Sequence, residues 1–344
     1  MTATTRLLQR LLSPQSSPAA CLHFPRRAFS TTRTNHATWG FIGLGQMGYP
    51  MARNLRAKIP EGDTLVVCDA NPETTEKFLA EEKGKKIEAG SPREVAERAE
   101  TVITSLPEPQ HVKSVFHTIL KDGLPKLSTD RLFIDCSTID PISSREVAAA
   151  VLSTGAGRFI DAPMSGGVVG ATAGTLTFML GAPSGVPGLV ERAEQVLLKM
   201  GKKVWHLGEQ GAGLSGKLAN NYLLAISNIA AAEAMNMGIR WGLDPKVLGQ
   251  MINSSSGRCW ASEVNNPVPG VVETAPASRD YVGGFGVSLM KKDLRLAVEA
   301  CKEAGTALEL ASTAQAVYDA TEAAHRGKDF SVVYKYLQGK SKPQ

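Results

Sequence analysis

A glycine-rich segment near the start of the chain has the spacing of a dinucleotide-binding loop. Its G-x-G-x-x-G pattern follows a short apolar run and precedes a helix-like stretch. In such a loop the first glycine permits a tight turn, the second lets the backbone approach a pyrophosphate, and the third allows close packing of helix on strand. The N–H groups at the helix start then face the phosphates. The predicted cofactor contacts are Gly43, Leu44, Gly45, Gln46, Met47 and Gly48.

An acidic residue follows at the spacing expected for a ribose contact. Asp69 comes about 20 residues after the loop, at the end of the next apolar run. Its carboxylate would accept hydrogen bonds from the adenosine ribose hydroxyls and repel a 2′-phosphate. No arginine occurs within residues 70–73 to bind such a phosphate. The pattern predicts NAD rather than NADP as cofactor, and the alternative for Asp69 is an ordinary turn carboxylate.

The elements around these residues alternate between strand and helix. Apolar runs predict strands at 39–44, 64–68, 101–106, 131–135 and 158–160, with a final pair at 175–180 and 204–207. Helical patterns are predicted between them at 49–58, 91–99 and 143–151. This alternation is typical of a doubly wound parallel sheet. The first half is therefore predicted to be an α/β Rossmann-type domain.

The sequence pattern of the second half predicts helices only. Residues 217–241 form a long candidate helix whose apolar residues cover most of its circumference, which indicates burial between domains or subunits. Further helices are predicted at 245–252, 287–304 and 308–324. The predicted organisation is a transit peptide at 1–36, an NAD-binding domain at 37–210 and an all-α substrate and oligomerisation domain at 211–340, joined by the long interdomain helix.

The charge of the chain is concentrated in its first residues. The segment 1–36 contains five arginines and no acidic residue, and so carries the whole formal net charge of +5. Arginines beside leucines at amphipathic spacing are typical of a mitochondrial transit peptide, here with a processing site after Phe29; a merely disordered basic tail is the alternative. The neutral remainder argues against nucleic-acid or membrane-surface binding. No run of apolar residues suggests a membrane span, and no His or Cys spacing suggests a metal site.

Several segments resemble one enzyme family. Residues 40–55 are similar to the N-terminal signature of the 3-hydroxyisobutyrate dehydrogenases, members of the β-hydroxyacid dehydrogenase superfamily. Residues 161–167 resemble the substrate loop of that family, 211–221 the start of its catalytic helix, and 286–294 its C-terminal Lys-Asp-Leu motif. These matches occur in the order of the family over residues 39–338. Residues 253–260 and 266–270 are similar to the mitochondrial enzymes in particular.

The resemblance implies a catalytic pair on one helix face. Lys217 would take the hydroxyl proton as hydride leaves carbon, which requires a pKa below the ordinary lysine value. Asn221, four residues on, would orient the reacting oxygen. Asn220 is a further candidate for the substrate, and a helix-packing amide is the alternative for it.

The remaining site residues also follow from the resemblance. Ser165, Gly166 and Gly167 offer a hydroxyl and backbone N–H groups that suit a substrate carboxylate. Lys292 would reach cofactor and substrate from the second half, with Asp293 beside it. The nicotinamide side would be contacted by Leu106, Pro107 and Thr138, and by His111, which stands where the animal enzymes have asparagine. Two interpretations of Arg258 stay open: a contact with the substrate, or an exposed loop residue.

The implied function is oxidation of 3-hydroxyisobutyrate to methylmalonate semialdehyde with NAD, a step of valine breakdown in the mitochondrial matrix. The family suggests a homodimer or homotetramer. Two alternatives stay open: an NADPH-dependent reductase of a small semialdehyde or glyoxylate, and a non-catalytic dinucleotide-binding module.

Overall fold

The computed structural model describes residues 36–127 and 130–341. The predicted transit peptide, apart from its last residue His36, lies outside the described residues. From His36 onward the chain forms one compact unit. None of its described helices is long and apolar enough to cross a membrane.

Six short parallel strands form most of one sheet. They are β1 (Thr38–Ile42), β2 (Thr64–Cys68), β3 (Ile87–Ala89), β4 (Thr101–Thr104), β5 (Leu132–Asp135) and β6 (Arg158–Asp161). Their spatial order is β3-β2-β1-β4-β5-β6, which is that of a dinucleotide-binding doubly wound sheet. The predicted Rossmann-type fold is confirmed. Of these six strands β3 was not predicted, because its three residues, one half-buried and two exposed, carry no hydrophobic periodicity.

The sheet continues beyond β6 with a change of direction. The additional strands are β7 (Met164–Ser165), β8 (Leu176–Gly181) and β9 (Gly201–Gly208). β8 runs antiparallel to β6 and β7 and parallel to β9. The strand pair predicted near 175–180 and 204–207 is therefore present, but the whole sheet is mixed rather than purely parallel.

Seven helices cover the two faces of the sheet. They are α1 (Gly48–Lys58), α2 (Pro72–Glu81), α3 (Pro92–Arg98), α4 (Pro109–Leu120), α5 (Pro141–Ser153), α6 (Gly167–Ala173) and α7 (Leu189–Leu197). α2 to α5 each begin with proline, which suits the first helical turn because its missing N–H would have no partner there. α1, α2, α6 and α7 pack into one apolar cluster and α3, α4 and α5 into another. The sheet is thus buried on both faces.

The second half contains helices and short turns. Its α-helices are α8 (Ala212–Arg240), α9 (Pro245–Asn253), α10 (Trp260–Glu263), α11 (Val287–Glu303), α12 (Ala311–His325) and α13 (Val333–Lys340). α8 has 29 residues and so a length of about 44 Å. It begins five residues before the predicted start at 217, and Lys217 therefore lies in its second turn. The predicted all-α second half with a long helix is confirmed.

Candidate active site

The glycine loop joins β1 to α1 in the conformation that a phosphate cradle requires. Gly43 has φ +97°, and a Cβ there would collide with the carbonyl oxygen of Ser105. A Cβ at Gly48 would collide with the Gly43 carbonyl, whereas a Cβ at Gly45 would meet no protein atom within 4 Å. α1 has neither a side-chain cap nor an acidic residue in its first turn. The loop thus leaves space in front of an uncapped helix N-terminus, which fits a pyrophosphate.

Asp69 lies next to this loop, immediately after β2. Its carboxylate accepts hydrogen bonds from the backbone N–H of Leu44 at 2.6 Å and of Asn71 at 2.8 Å. The side chain is half-buried and keeps further acceptor capacity, since a carboxylate has about four lone-pair directions. Asp69 therefore holds the glycine loop in place and also presents negative charge at the end of β2, which fits ribose hydroxyls and disfavours a 2′-phosphate.

A lysine from the helical half contacts the loops that follow β4 and β5. The Lys292 Nζ donates hydrogen bonds to the carbonyl oxygens of Pro107 and Thr138, both at 2.9 Å. It also lies 3.6 Å from a carboxylate oxygen of Asp293. Three predicted residues that are remote in sequence are therefore brought together where the cofactor crevice opens, at the carboxyl ends of the strands.

A buried acid, Asp135, connects the same two loops through hydrogen bonds. Asp135, the last residue of β5, accepts hydrogen bonds from the hydroxyls of Thr104 (2.7 Å) and Ser137 (2.6 Å). The Ser137 oxygen in turn accepts the backbone N–H of Leu106 at 2.8 Å. Complete burial raises the pKa of Asp135 to about 6. This network orders the loop after β4 relative to the loop after β5.

The predicted carboxylate-binding segment forms a tight turn after β7. Ser165 pairs with Thr177 of β8, and it is followed by two glycines with φ +134° and +60°. Two consecutive positive φ values are readily adopted only by glycine. The turn leads directly into α6. A serine followed by two glycines in such a turn supplies one hydroxyl and two backbone N–H donors, which are groups suited to an anion.

Lys217 occupies an environment that disfavours a charged amine. The residue is only 6% exposed, and among the described residues its Nζ has no hydrogen-bond or ion-pair partner. Burial lowers the pKa of Lys217, the nearby Lys292 charge lowers it further, and Asp293 opposes both. A lysine with a lowered pKa has a larger neutral fraction and can act as a base.

Asn221 is held by an acid from another helix. Its amide nitrogen donates to Asp293 at 2.6 Å, and its amide oxygen accepts from Asn220 at 3.0 Å. Asn221 and Asp293 are both buried, whereas Asn220 is exposed. Asp293 therefore fixes the orientation of Asn221. It also lies near the side chains of Lys217 and Lys292.

Two family models together match nearly the whole described chain. Residues 38–208 match the NAD binding domain of 6-phosphogluconate dehydrogenase. Residues 211–337 match a domain described as the NAD-binding domain of NADP-dependent 3-hydroxyisobutyrate dehydrogenase.

Individual proteins that are similar to this chain indicate the same family. The chain is 46% identical over 303 residues to 3-hydroxyisobutyrate dehydrogenase, mitochondrial, from Rattus norvegicus, covering 87% of this chain and 86% of the relative. It is 44% identical over 324 residues to a probable mitochondrial 3-hydroxyisobutyrate dehydrogenase from Dictyostelium discoideum, covering 94% and 97%. The chain belongs to the 3-hydroxyisobutyrate dehydrogenase family. A solved structure of the Mycobacterium tuberculosis 3-hydroxyisobutyrate dehydrogenase with L-serine is also similar, with a TM-score of 0.79, 39% identity, and coverage of 88% of this chain and 99% of that one.

Membership in the 3-hydroxyisobutyrate dehydrogenase family confirms the predicted family, fold class and NAD cofactor. The structure also places His111, a predicted cofactor contact, and Arg258, whose role the sequence left open. His111 is exposed on α4, and its backbone N–H donates to Glu108. Arg258 forms a two-point ion pair with Glu263, at 2.8 and 3.0 Å, on an exposed loop. Arg258 is therefore already engaged at the surface.

Three buried acids of this dehydrogenase site were missed or only partly interpreted from the sequence. Asp135 and Asp161 were assigned no role, and Asp293 was expected beside Lys292 rather than on Asn221. Each acid ends a strand or lies mid-helix, where sequence alone predicts an exposed carboxylate. The one available signal was the position of Asp135 and Asp161 directly after fully apolar strand residues.

Proposed function

We propose that the chain oxidises 3-hydroxyisobutyrate to methylmalonate semialdehyde with NAD, the valine-breakdown reaction of its family. The observation that carries this proposal is Lys217, a buried amine without a partner among the described residues, one helical turn before Asn221. The relatives named as 3-hydroxyisobutyrate dehydrogenases support the substrate. The substrate is thus a small hydroxy acid with a primary alcohol.

In this mechanism Lys217 removes the hydroxyl proton. Its neutral amine accepts the proton while the C–O single bond becomes a carbonyl, and the resulting ammonium ion is stabilised by Asp293. NAD, when bound, supplies the hydride acceptor. Asn221, oriented by Asp293, donates its remaining amide hydrogen toward the reacting oxygen. Oxidation therefore becomes faster as the amine loses its proton with rising pH.

The turn after β7 is proposed to bind the substrate carboxylate. Ser165, Gly166 and Gly167 supply neutral donors, so they bind an anion without adding a charge that would alter the base. Lys292 is proposed to contact the cofactor and the carboxylate, since its ammonium is already held at Pro107 and Thr138. Asn220 is proposed as a substrate residue that also supports Asn221.

The cofactor residues are proposed to act as two groups. The loop from Gly43 to Gly48, with Leu44, Gln46 and Met47, would hold the pyrophosphate, and Asp69 the adenosine ribose. Leu106, Pro107, Thr138 and the exposed His111 would line the nicotinamide side. The NAD-binding part is proposed to span 37–210 and the helical part 211–340.

The assembly and location of the protein are also proposals. A homodimer or homotetramer is supported by exposed apolar side chains on α8 and α9. The mitochondrial matrix is supported by the names of the relatives and by the basic composition of 1–36. That segment is proposed as a cleaved transit peptide.

An assay of purified protein tests the activity. The protein should reduce NAD with 3-hydroxyisobutyrate and should use NADP poorly. L-serine is a second candidate substrate, because a similar solved structure contains it and because, like 3-hydroxyisobutyrate, it carries a hydroxymethyl group on the carbon that bears the carboxylate. Higher kcat/KM with L-serine would reassign the substrate, preference for NADPH and a semialdehyde would favour a reductase, and NAD binding without any turnover would indicate a non-catalytic module.

A further inference from the structure

One buried carboxylate connects the proposed substrate turn to the helix that carries Lys217. Asp161 is the last residue of β6, and the segment that follows it leads to Ser165. The carboxylate accepts hydrogen bonds from the backbone N–H of Gly211 at 2.6 Å and of Leu214 at 2.9 Å. Asp161 thus ties the first turn of α8 to the end of β6.

We propose that Asp161 is a positioning residue that sets the distance between the substrate turn and the Lys217 amine. The proposal rests on the proposed function, because it concerns the same base and the same turn. No hydrogen bond joins Ser165 to Lys217 in the described part of the chain. Their separation is therefore determined by the elements between them. Asp161 is one link, since it is joined to Ser165 through the chain and to α8 through two hydrogen bonds, and β8, which pairs with Ser165 and packs against α8, is another.

The helix itself lacks the usual local means of capping. Its preceding residue, Gly211, has no side chain to accept an N–H, and its first turn contains no acidic residue. The first N–H groups of a helix need acceptors, and a negative charge near them is stabilising. A neighbouring Ser or Asp would satisfy this need without connecting α8 to anything else. Using an acid from β6 instead makes the position of the helix depend on the sheet.

Two glycines leave the space that the Asp161 carboxylate occupies. A Cβ at Gly181 of β8 would collide with one Asp161 oxygen, and a Cβ at Gly213 of α8 would lie 2.9 Å from the other. Asp161 is also fully buried. Two elements therefore approach the carboxylate more closely than any side chain would allow, and a small movement of Asp161 must move the start of α8.

Asp161→Asn tests the proposal. The amide oxygen can accept one of the two N–H groups, while the amide NH₂ faces the other donor, so the first turn should shift. A displacement of this kind costs about 10- to 100-fold in kcat/KM. The Kd for NAD, which depends on the loop after β1, should change by less than about threefold. The ascending limb of kcat/KM against pH should move to higher pH, because a displaced Lys217 is better hydrated.

Asp244→Asn is the matched control. Asp244 also accepts two backbone N–H groups at a helix start, those of Lys246 and Val247, but it is exposed and directly precedes α9. Its kcat/KM and pH limb should match wild type. Gly181→Ala is a second variant that displaces the Asp161 carboxylate without removing it. It should move the limb in the same direction as Asp161→Asn.

The proposal would be overturned if Asp161→Asn folds, keeps kcat/KM within threefold of wild type, and shows the ascending limb of kcat/KM at the same pH as wild type. If that variant does not fold, an unmoved limb in Gly181→Ala overturns it instead. All ratios are taken on the hydroxy acid that wild type oxidises best. Failure of 3-hydroxyisobutyrate as substrate therefore refutes the proposed activity without affecting this comparison, whereas wild type without turnover on any hydroxy acid would overturn both.

Discussion

At the scale of single residues, the site places an ionisable amine where its charge is poorly stabilised. Lys217 is buried, and its pKa is lowered mainly by loss of hydration. A purely structural lysine would instead be expected to extend to water or to pair with an acid. The cost of burying this amine is therefore best explained by a need for its neutral form. The same reasoning separates it from Lys292, which is hydrogen-bonded to two carbonyl oxygens.

Lys217→Met should separate catalysis from stability. Loss of the base should lower kcat/KM by about 10²- to 10⁴-fold and remove its ascending pH limb. Because the pKa of Lys217 is lower in the folded than in the unfolded state, the buried amine destabilises the fold at pH values below its unfolded pKa, and removing it should keep or raise Tm. NAD affinity should stay within a few-fold. Steady-state kinetics from pH 6 to 10 and thermal melts measure these effects.

The control for this variant is Lys246→Met, on the exposed surface of α9. It should leave kcat/KM and the pH limb as in wild type. Turnover of Lys217→Met within tenfold of wild type, with the limb intact, would show that another group is the base. Lys292 would then be tested first.

Asp69 should determine cofactor choice. In the double variant Asp69→Ser with Ala70→Arg, the repulsion of a 2′-phosphate is removed and a cation is supplied. The NADP/NAD ratio of kcat/KM should rise by about tenfold or more. Absolute affinity for both cofactors should fall, since Asp69 also holds the Leu44 N–H. An unchanged ratio in initial-rate measurements would rule out a ribose contact by Asp69.

At the scale of elements, the site forms where strand ends and helix starts meet. The carboxyl ends of β4, β5 and β6 each contribute a loop, and two of these strands end in a buried aspartate, Asp135 or Asp161. One acid orders the loops after β4 and β5, and the other holds the start of α8. Burial raises the pKa of each to about 6. The elements are therefore positioned by groups whose charge is costly to bury.

Asp135 should make stability depend on pH. Its folded-state pKa of about 6 lies above its unfolded value near 3.9, so the folded protein binds more protons between about pH 4 and 6. Stability contributed by this group therefore falls as pH rises through that window, by up to about 3 kcal/mol. Asp135→Asn keeps an acceptor for Thr104 and Ser137 but does not titrate. Relative to wild type it should gain stability from pH 4 to pH 7.

Urea unfolding at pH 4 and pH 7 measures this difference. Asp161 is present in both proteins, but the Asp135 charge contributes to its raised pKa, so the comparison measures Asp135 together with this smaller effect on Asp161. The same difference between wild type and Asp135→Asn at both pH values would mean that Asp135 does not titrate in this window.

At the scale of the whole molecule, several exposed apolar side chains follow one another along the chain at the end of α8 and on α9. Trp241 is 73% exposed, and Leu243, Val247 and Met251 on or near α9 are also exposed. Large exposed apolar groups near one another often mark an interface. The body of the protein carries no net charge, so nothing electrostatic opposes self-association.

Size-exclusion chromatography with light scattering should give a mass at least twice that of one chain. The double variant Trp241→Glu with Val247→Glu should reduce this mass, because two buried charges would have to be desolvated in the interface. Leu152→Glu, an equally exposed apolar position on α5, serves as control and should leave the mass unchanged. A monomeric wild type would refute the oligomer.

The leader should be removed on import. The N-terminus of protein isolated from mitochondria should begin at or near Ser30, since the segment before it has the composition of a transit peptide. Fusing residues 1–36 to a reporter should send that reporter to the matrix. Retention of Met1–Phe29 on the mitochondrial protein, or a reporter that stays in the cytosol, would contradict the targeting proposal.

The sequence alone was sufficient for features that depend on neighbouring residues. Spacing within the glycine loop, apolar periodicity and the position of Asp69 after β2 are all local, and they led to the Rossmann-type fold and to NAD. Apolar periodicity placed the start of α8 five residues too late, whereas the family resemblance had put the start of the catalytic helix at 211–221; the acid that caps α8, Asp161, is remote in sequence.

Only the tertiary structure could decide how the site is held together. Asp293 bonds Asn221 from 72 residues away, and Lys292 reaches Pro107 and Thr138 across 185 and 154 residues. Such partners have no periodic signature, because chain segments remote in sequence meet only after the core has formed. In the sequence these groups are ordinary acids and lysines; burial and the approach of remote helices place them in one network.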